Sequence, residues 1–506
     1  MDRCLSIQEV VREIVRCFPH SLAAQDRRFF VGLACVSRVF YDPAMDLLWE
    51  RLPGLGPLIH CLPDDTVKFG PGLPFSARII RPPVGDEWSL LIRHARRVRA
   101  VFLQGSEGPG EARFATDLAS LDILREYLPH PVLPRLRYLK LTKEFLTRAP
   151  AFLHSRLESI TIYGIEAEGD FTLFLQKIQS TAPNLQMLHV TRDSESDDCS
   201  RAQISKIACA LAKLESLDGW YHPLTKEAIA HLSNLPRFRT LSLLADQSNV
   251  RIWDLPSLGR FSSLTSLKLA FTPHTTPAEW TRFLRALASA PLERISVVVW
   301  TPDECHSTEL IPFLEALGQF THLSACEATM MSEVTRSVWD DTYLYNTALH
   351  PLLRARNMRS FTLEQFPISF SSPLLEEMAE AWPRLETIVL QPELELCPEY
   401  LPPLADLLYF TQRCPDLREV DMEFEGMSDE WTYHEHDEPE PDIPPSTLEH
   451  LKMQTTYIER LAAPLIATFL DRYFPKTRLS GDSTVDDELG TCDIDYVNQL
   501  RTRPRH

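Results

Sequence analysis

A hexapeptide of the form L-x-x-L-x-L, with other apolar residues standing in for some leucines, recurs along most of this chain. VRAVFL begins at Val98, LRYLKL at Leu136, LESITI at Leu157, LQMLHV at Leu185, LESLDG at Leu214 and FRTLSL at Phe238. LTSLKL begins at Leu264, LERISV at Leu292, a weaker LSACEA at Leu323, MRSFTL at Met358, LETIVL at Leu385, LREVDM at Leu417 and LEHLKM at Leu448. The starts lie about 21 to 38 residues apart and about 29 on average. In each copy the last two apolar positions alternate as a β-strand requires, while the first packs from the approaching turn. Helical patterns fill the intervals: FTLFLQKIQSTAP (171–183), AEWTRFLRALASAP (278–291), SPLLEEMAEAWP (372–383) and YLPPLADLLYFTQRCP (400–415). Their apolar residues follow three- and four-residue spacing, as in Phe171, Phe174, Leu175 and Ile178. The proline that often follows ends the helix and directs the chain into the next strand. A single strand–helix unit cannot bury its apolar face, so the copies must stack around one continuous core. The expected fold is an α/β solenoid.

Composition narrows the function classes. The 506 residues carry a formal charge of −19, which argues against a general nucleic-acid or anionic-membrane binder. Residues 1–150 are mildly basic, and most of the acidic excess lies beyond residue 300. The basic stretch RHARRVRAVF from Arg93 reads as the solvated edge of a strand. No run of 18 apolar residues occurs, so no transmembrane helix is expected, and the charged N-terminus lacks a signal peptide's apolar run. Eleven cysteines without C-x-x-C spacing fit reduced thiols. The expected location is cytoplasmic and/or nuclear.

The segment before the repeats is different in kind. Ser6-x-x-Glu9 is a capping-box pattern that starts a helix, with Ile7, Val10, Val11, Ile14 and Phe18 along one face and Pro19 ending it. A second helix is expected over about Asp26 to Val39, with Phe29, Leu33, Val36 and Phe40 as its stripe. Asp42-Pro43 reads as the cap and first position of a third, with Met45, Leu48, Trp49 and Leu52 as its stripe. Three helices in so short a segment cannot bury this apolar surface among themselves. They either cap the solenoid or await a partner. The expected organisation is a helical module at 1–52, a linker and irregular capping unit at 53–94, and a solenoid at 95–480. An acidic loop at 425–445, with eight acidic residues and no Lys or Arg, interrupts the repeats, and 481–506 reads as a loose tail.

Residues 95–455 resemble the leucine-rich-repeat family, although the family's Asn or Cys after the strand is not kept; the resemblance implies an α/β leucine-rich-repeat solenoid, an arc with strands on its concave face. LACVSRVFYDPAMDLLWERL, from Leu33, resembles the second half of a fungal F-box, and IQEVVREIVRCF, from Ile7, resembles its first helix. Where that family opens with Leu-Pro, this chain reads Leu5-Ser6. The resemblance implies a non-catalytic substrate receptor of an SCF-type (cullin–RING) ubiquitin ligase. Its module would dock the Skp adaptor through Val10, Val11, Ile14, Leu33, Val36 and Phe40, and its repeats would hold a target protein. Trp49 would lock the third helix to the linker. The alternative is a leucine-rich-repeat interaction scaffold whose N-terminal helices only cap the solenoid.

Catalytic and metal motifs are not evident. The HEH at His434–His436 lies in the acidic run, where ligands are not preorganised, and GSEGPG (105–110) lacks the features of a phosphate loop. Cys305–His306 is adjacent in sequence only, which does not make a nucleophile–base pair. No enzyme activity, metal or cofactor is expected. Trp220, Tyr221 and His222 follow one strand pattern and Trp300 another, which makes them the candidate target contacts.

Overall fold

The reason each hexapeptide begins with an apolar residue is visible in the computed structural model. That first residue is at most 2% exposed in all thirteen copies, from Val98 to Leu448. The structure describes residues 8–17, 24–69, 77–104, 117–165, 168–192, 198–219, 223–246, 261–300, 307–331, 344, 346–368, 370–392, 401–425, 446–453, 458, 460, 462–481 and 494–502. They form two compact units, Met1–Phe238 and Arg239–His506.

The first unit opens with helices α1 (Gln8–Arg16), α2 (Ala24–Val36) and α3 (Arg38–Glu50), and α3 leads directly into strand β1 (Arg51–Leu52). A short helix, α4 (Gly56–Ile59), an antiparallel hairpin of β2 (Val67–Phe69) and β3 (Ala77–Ile79), and helix α5 (Ser89–Ala95) follow. Strands β4 (Ala100–Leu103), β5 (Tyr138–Thr142), β6 (Ser159–Ile165), β7 (Met187–Arg192) and β8 (Ser216–Gly219) alternate with helices α6 (Leu118–Tyr127), α7 (Glu168–Thr181) and α8 (Asp198–Ala210). Helix α9 (Lys226–Ser233) ends the series. β1 pairs with β4, and β4 to β8 each pair in parallel with the next.

The second unit carries nine parallel strands: β9 (Thr240–Ala245), β10 (Ser266–Phe271), β11 (Arg294–Trp300), β12 (Ala325–Met331), β13 (Ser360–Phe366), β14 (Thr387–Pro392), β15 (Glu419–Met422), β16 (His450–Met453) and β17 (Arg478–Ser480). Each pairs with its neighbour in chain order. Helices α10 (Pro277–Ala286), α11 (Ile311–Leu317), α12 (Ser372–Ala381), α13 (Leu407–Arg413), α14 (Ala463–Tyr473) and α15 (Ile494–Thr502) connect or flank them. The described strands of the repeats thus number fifteen, six in the first unit and nine in the second, and neither set closes into a barrel. This is a mixed α/β repeat fold.

The local chemistry of one turn recurs between helix and strand. In Ala182-Pro183-Asn184-Leu185 the Leu185 amide donates to the Ala182 carbonyl at 3.2 Å, and Trp382-Pro383-Arg384-Leu385 closes the same way at 3.0 Å. Proline occupies the second position of a β-turn, where its fixed φ is already correct. Its role is therefore to shape the turn as well as to stop the helix.

Register then stacks like on like. Val101, Leu139, Ile160, Leu188 and Leu217 form one buried ladder in the first unit. Leu241, Leu267, Ile295, Cys326, Phe361, Ile388, Val420, Leu451 and Leu479 form its counterpart in the second, and all but Leu479 at 8% are at most 2% exposed. Helices cover this side of the strands. Phe271 lies 6.0 Å from Trp280 and 5.7 Å from Phe283 of α10, and Trp280 lies 5.8 Å from Phe313 of α11. The Trp280 indole donates to Thr275 Oγ1 at 2.9 Å, which satisfies its only polar atom in the core. The alternate strand positions face away from the helices.

Two regions differ from the sequence expectation. Helix α3 starts at Arg38, because Ser37 caps it by accepting from the Val39 amide at 3.3 Å; Pro43 lies inside the helix. Within the irregular unit expected at 53–94 lie α4, the β2–β3 hairpin and α5. Residues 494–502, expected within a loose tail, form α15, where Arg501 bonds Asp471 at 3.0 Å and the carbonyls of Thr477 and Phe474 at 2.9 Å each. Residues 426–445 of the expected acidic loop lie outside the described residues.

Candidate functional site

Two surfaces of the first unit are built differently from a solvated exterior. One is the helical module. Val11, Val15 and Phe30 form its core, with Leu33, Phe40, Leu47 and Leu48 packed against them. A small three-helix cluster must spend part of its apolar surface on holding itself together, and these residues do so. Of the six expected adaptor contacts, Val11 is fully buried, and Leu33 and Phe40 are half-buried against the core. Val10, Ile14 and Val36 are exposed, Val36 by 74%. Val10 and Ile14 form one i,i+4 stripe and Val11 and Val15 the neighbouring one, and only the second faces Phe30.

Sequence reasoning missed the rest of this surface. Val31, Val39 and Tyr41 are exposed, and so is Phe29, which the periodicity had assigned to the stripe of α2. The available signal was that Val31, Val39 and Tyr41 are apolar residues off the helical stripe. Among the described residues between positions 10 and 41, seven large apolar ones are thus more than one-third exposed. Exposed apolar residues at this density exceed the scattered single ones of an ordinary solvated surface.

The module is stapled to the first repeats. Arg97, whose side chain is only 14% exposed, binds Asp46 and lies 2.5 Å from Asp42 on α3. Arg99 pairs with Glu50 at 3.6 Å, and its amide donates to the Glu50 carbonyl at 2.9 Å. Trp49 stacks on His94 of α5 with ring centroids 4.2 Å apart. Burial, then the nearby Arg97 and Arg93 charges, push the His94 imidazole down to about 4.

The second surface is the open side of β4 to β8. Phe102, Lys140, Thr161, His189 and Asp218 occupy one register row. Tyr163 lies 5.8 Å from Phe102 and 6.1 Å from His189, and His189 Nδ1 lies 2.7 Å from Asp218 Oδ2. Burial raises the Tyr163 phenol above its ordinary range. Gly164, at φ 69°, supplies the left-handed residue that the bulge ending β6 requires, next to Tyr163. With Tyr138 and Met187 exposed alongside, the row offers aromatic faces, one cation and a His–Asp pair. These residues occupy the x positions of L-x-x-L-x-L or directly follow it, and reading those positions as the open face would have found them.

The matching side of the second unit is more ionic. Asp421, 7% exposed, accepts from Gln391 at 2.9 Å and from Lys452 at 3.1 Å, and Thr329 donates to Glu364 at 3.0 Å. Trp300 ends β11 on this open side, in register with Met331. Trp220, Tyr221 and His222 lie outside the described residues, as do His434–His436, GSEGPG (105–110) and Cys305–His306. Burial pushes the Cys326 and Cys414 thiols up to about 12, which suits them to the core and not to nucleophilic chemistry. Among the described residues no three His, Cys, Asp or Glu side chains converge as metal ligands would, and no helix is long and apolar enough to cross a membrane.

No family model and no curated protein matches this chain. Among solved structures it is similar to a chain of the yeast Rad7 and Elc1 complex, with 14% identity, 73% of this chain and 80% of that chain covered, and a TM-score of 0.37. It is also similar to a chain of the TLR13–ssRNA13 complex, with 13% identity, 73% of this chain and 56% of that chain covered, and a TM-score of 0.29. The fold assignment rests on the strand register described above.

Proposed function

We propose that this protein is a non-catalytic substrate receptor of an SCF-type ubiquitin ligase. Its helical module docks the Skp adaptor, and the open faces of its repeats hold a target protein. The observation that carries this reading is the concentration of exposed apolar side chains on α1 to α3, including Val10, Ile14, Phe29 and Val36. A helical cap needs its apolar residues inward; these face outward, as a docking surface needs. The F-box resemblance of the same residues supplies the identity of the partner. The receptor supplies proximity, raising the effective concentration of target beside the ligase. On the target side, the row Phe102, Tyr163 and His189 has the amphipathic rings that anchor protein interfaces.

A second reading is favoured by the staple between module and repeats, since Arg97 with Asp42 and Asp46 is what a pure cap also requires. In that case the chain is an interaction scaffold. The two separate on co-purification with a Skp adaptor. The full chain is expected to retain the adaptor, and Ile14→Asp/Val36→Asp to lose it while its circular dichroism and thermal midpoint stay unchanged. Equal retention by both chains rejects the ligase reading.

A further inference from the structure

The arginine-rich stretch from Arg93 is divided between two tasks. Arg97 and Arg99 are met by Asp42, Asp46 and Glu50. Arg93 and Arg96 are exposed and have no side-chain hydrogen bond or ion pair among the described residues. They line a cleft of about 250 Å³ together with Arg12 of α1 and Arg135, which precedes β5, and these two are equally exposed and unmet. Among the described residues, the only carboxylates lining that cleft, Asp42 and Asp46, are already engaged by Arg97.

The ordinary reasons for surface arginines do not cover this arrangement. Arg93 and Arg96 complement the C-terminal end of α5, where the helix dipole favours cations. That account leaves out Arg12 and Arg135, which arrive from separate elements. Four like charges around one cleft repel one another, in a chain whose net charge of −19 offers ample carboxylates elsewhere. The His94 imidazole of the same helix is pushed down first by burial and then by the charges of Arg97 and Arg93.

We propose that this cleft binds a phosphate-bearing group. Guanidinium forks match phosphate oxygens bidentately, and forks contributed by α1, α5 and the turn before β5 converge on a volume suited to a small oxyanion. Such a ligand touches both the module and the first repeats, so it fixes one against the other. The proposal is independent of the ligase reading, because it needs neither adaptor nor target.

Calorimetric titration of the full chain at physiological salt tests it, with inorganic pyrophosphate, a peptide carrying two phosphoserines, and the same peptide unphosphorylated as probes. One saturable site is expected for pyrophosphate or the phosphopeptide, and none for the unphosphorylated peptide. Arg93→Gln/Arg96→Gln is expected to weaken it by about tenfold or more, whereas Arg354→Gln/Arg384→Gln, exposed residues of the second unit, leaves it unchanged. Tighter binding of the phosphopeptide identifies a modified partner as the source; binding of pyrophosphate alone identifies a free anion. Failure of both phosphate probes to saturate, or a wild-type affinity in Arg93→Gln/Arg96→Gln with circular dichroism intact, overturns it.

Discussion

His94 is 5% exposed, stacked on Trp49, and held neutral by burial and the arginines beside it. Its folded pKa of about 4 lies below the ordinary 6.5, so the unfolded chain takes up a proton first as pH falls. The stability contributed by the neutral ring is therefore complete above pH 6.5 and is lost as pH drops toward 4, by on the order of 3 kcal/mol. His94→Phe keeps an aromatic stack and removes the titration. The wild-type thermal midpoint is expected to fall more steeply than the variant's between pH 7 and about 4.5; parallel curves reject the assignment. Sequence reading placed Trp49 as a lock between module and linker, and its partner, a histidine 45 positions away in the chain, was not legible from spacing.

Among elements, the capping chemistry of α10 was written locally. Thr276 accepts from the Glu279 amide, Glu279 accepts from the Thr276 amide at 2.9 Å, and Pro277 takes the first helical position. The start of α3 was harder to read, since Ser37 and Asp42 both precede helix-compatible residues. Ser37 is the residue that caps, which leaves Asp42 inside the helix, where it pairs with Arg97. Helix α15 was missed because its anchor is remote: Arg501, 9% exposed, reaches Asp471 on α14 and two carbonyls beyond it. Arg501→Ala leaves those groups unmet and is expected to cost about 3 kcal/mol locally. Hydrogen exchange should accelerate in α14 and α15 and not in β10 or β11; unchanged protection of α14 would show that α15 does not brace it.

At the scale of each repeat unit, stability is a chain of nearest-neighbour contacts, because each strand pairs with the next and each buried ladder residue touches its counterparts. Leu267, 1% exposed in β10, stands between Leu241 and Ile295. Leu267→Ala is expected to cost about 2–5 kcal/mol. The loss of exchange protection should be largest in β9 to β11 and fade along the second unit. A uniform loss from β9 to β17 would mean that the unit opens as one block.

The thirteen hexapeptides by themselves determined the repeat class and the positions of β4 to β16, including the weak LSACEA copy that becomes the seven-residue β12. They could do so because a stacked repeat puts the same residue in the same environment every time, and the pattern is summed over many copies. Which apolar residues of the module remain outside, and which arginines remain unmet, was decided only by the tertiary structure. Val10 and Val11 are neighbours of the same chemistry, yet one is exposed and the other buried. Arg96 and Arg97 are equally adjacent, yet two aspartates reach only Arg97. Periodicity assigns a residue to a face; what covers that face depends on elements far away in the chain.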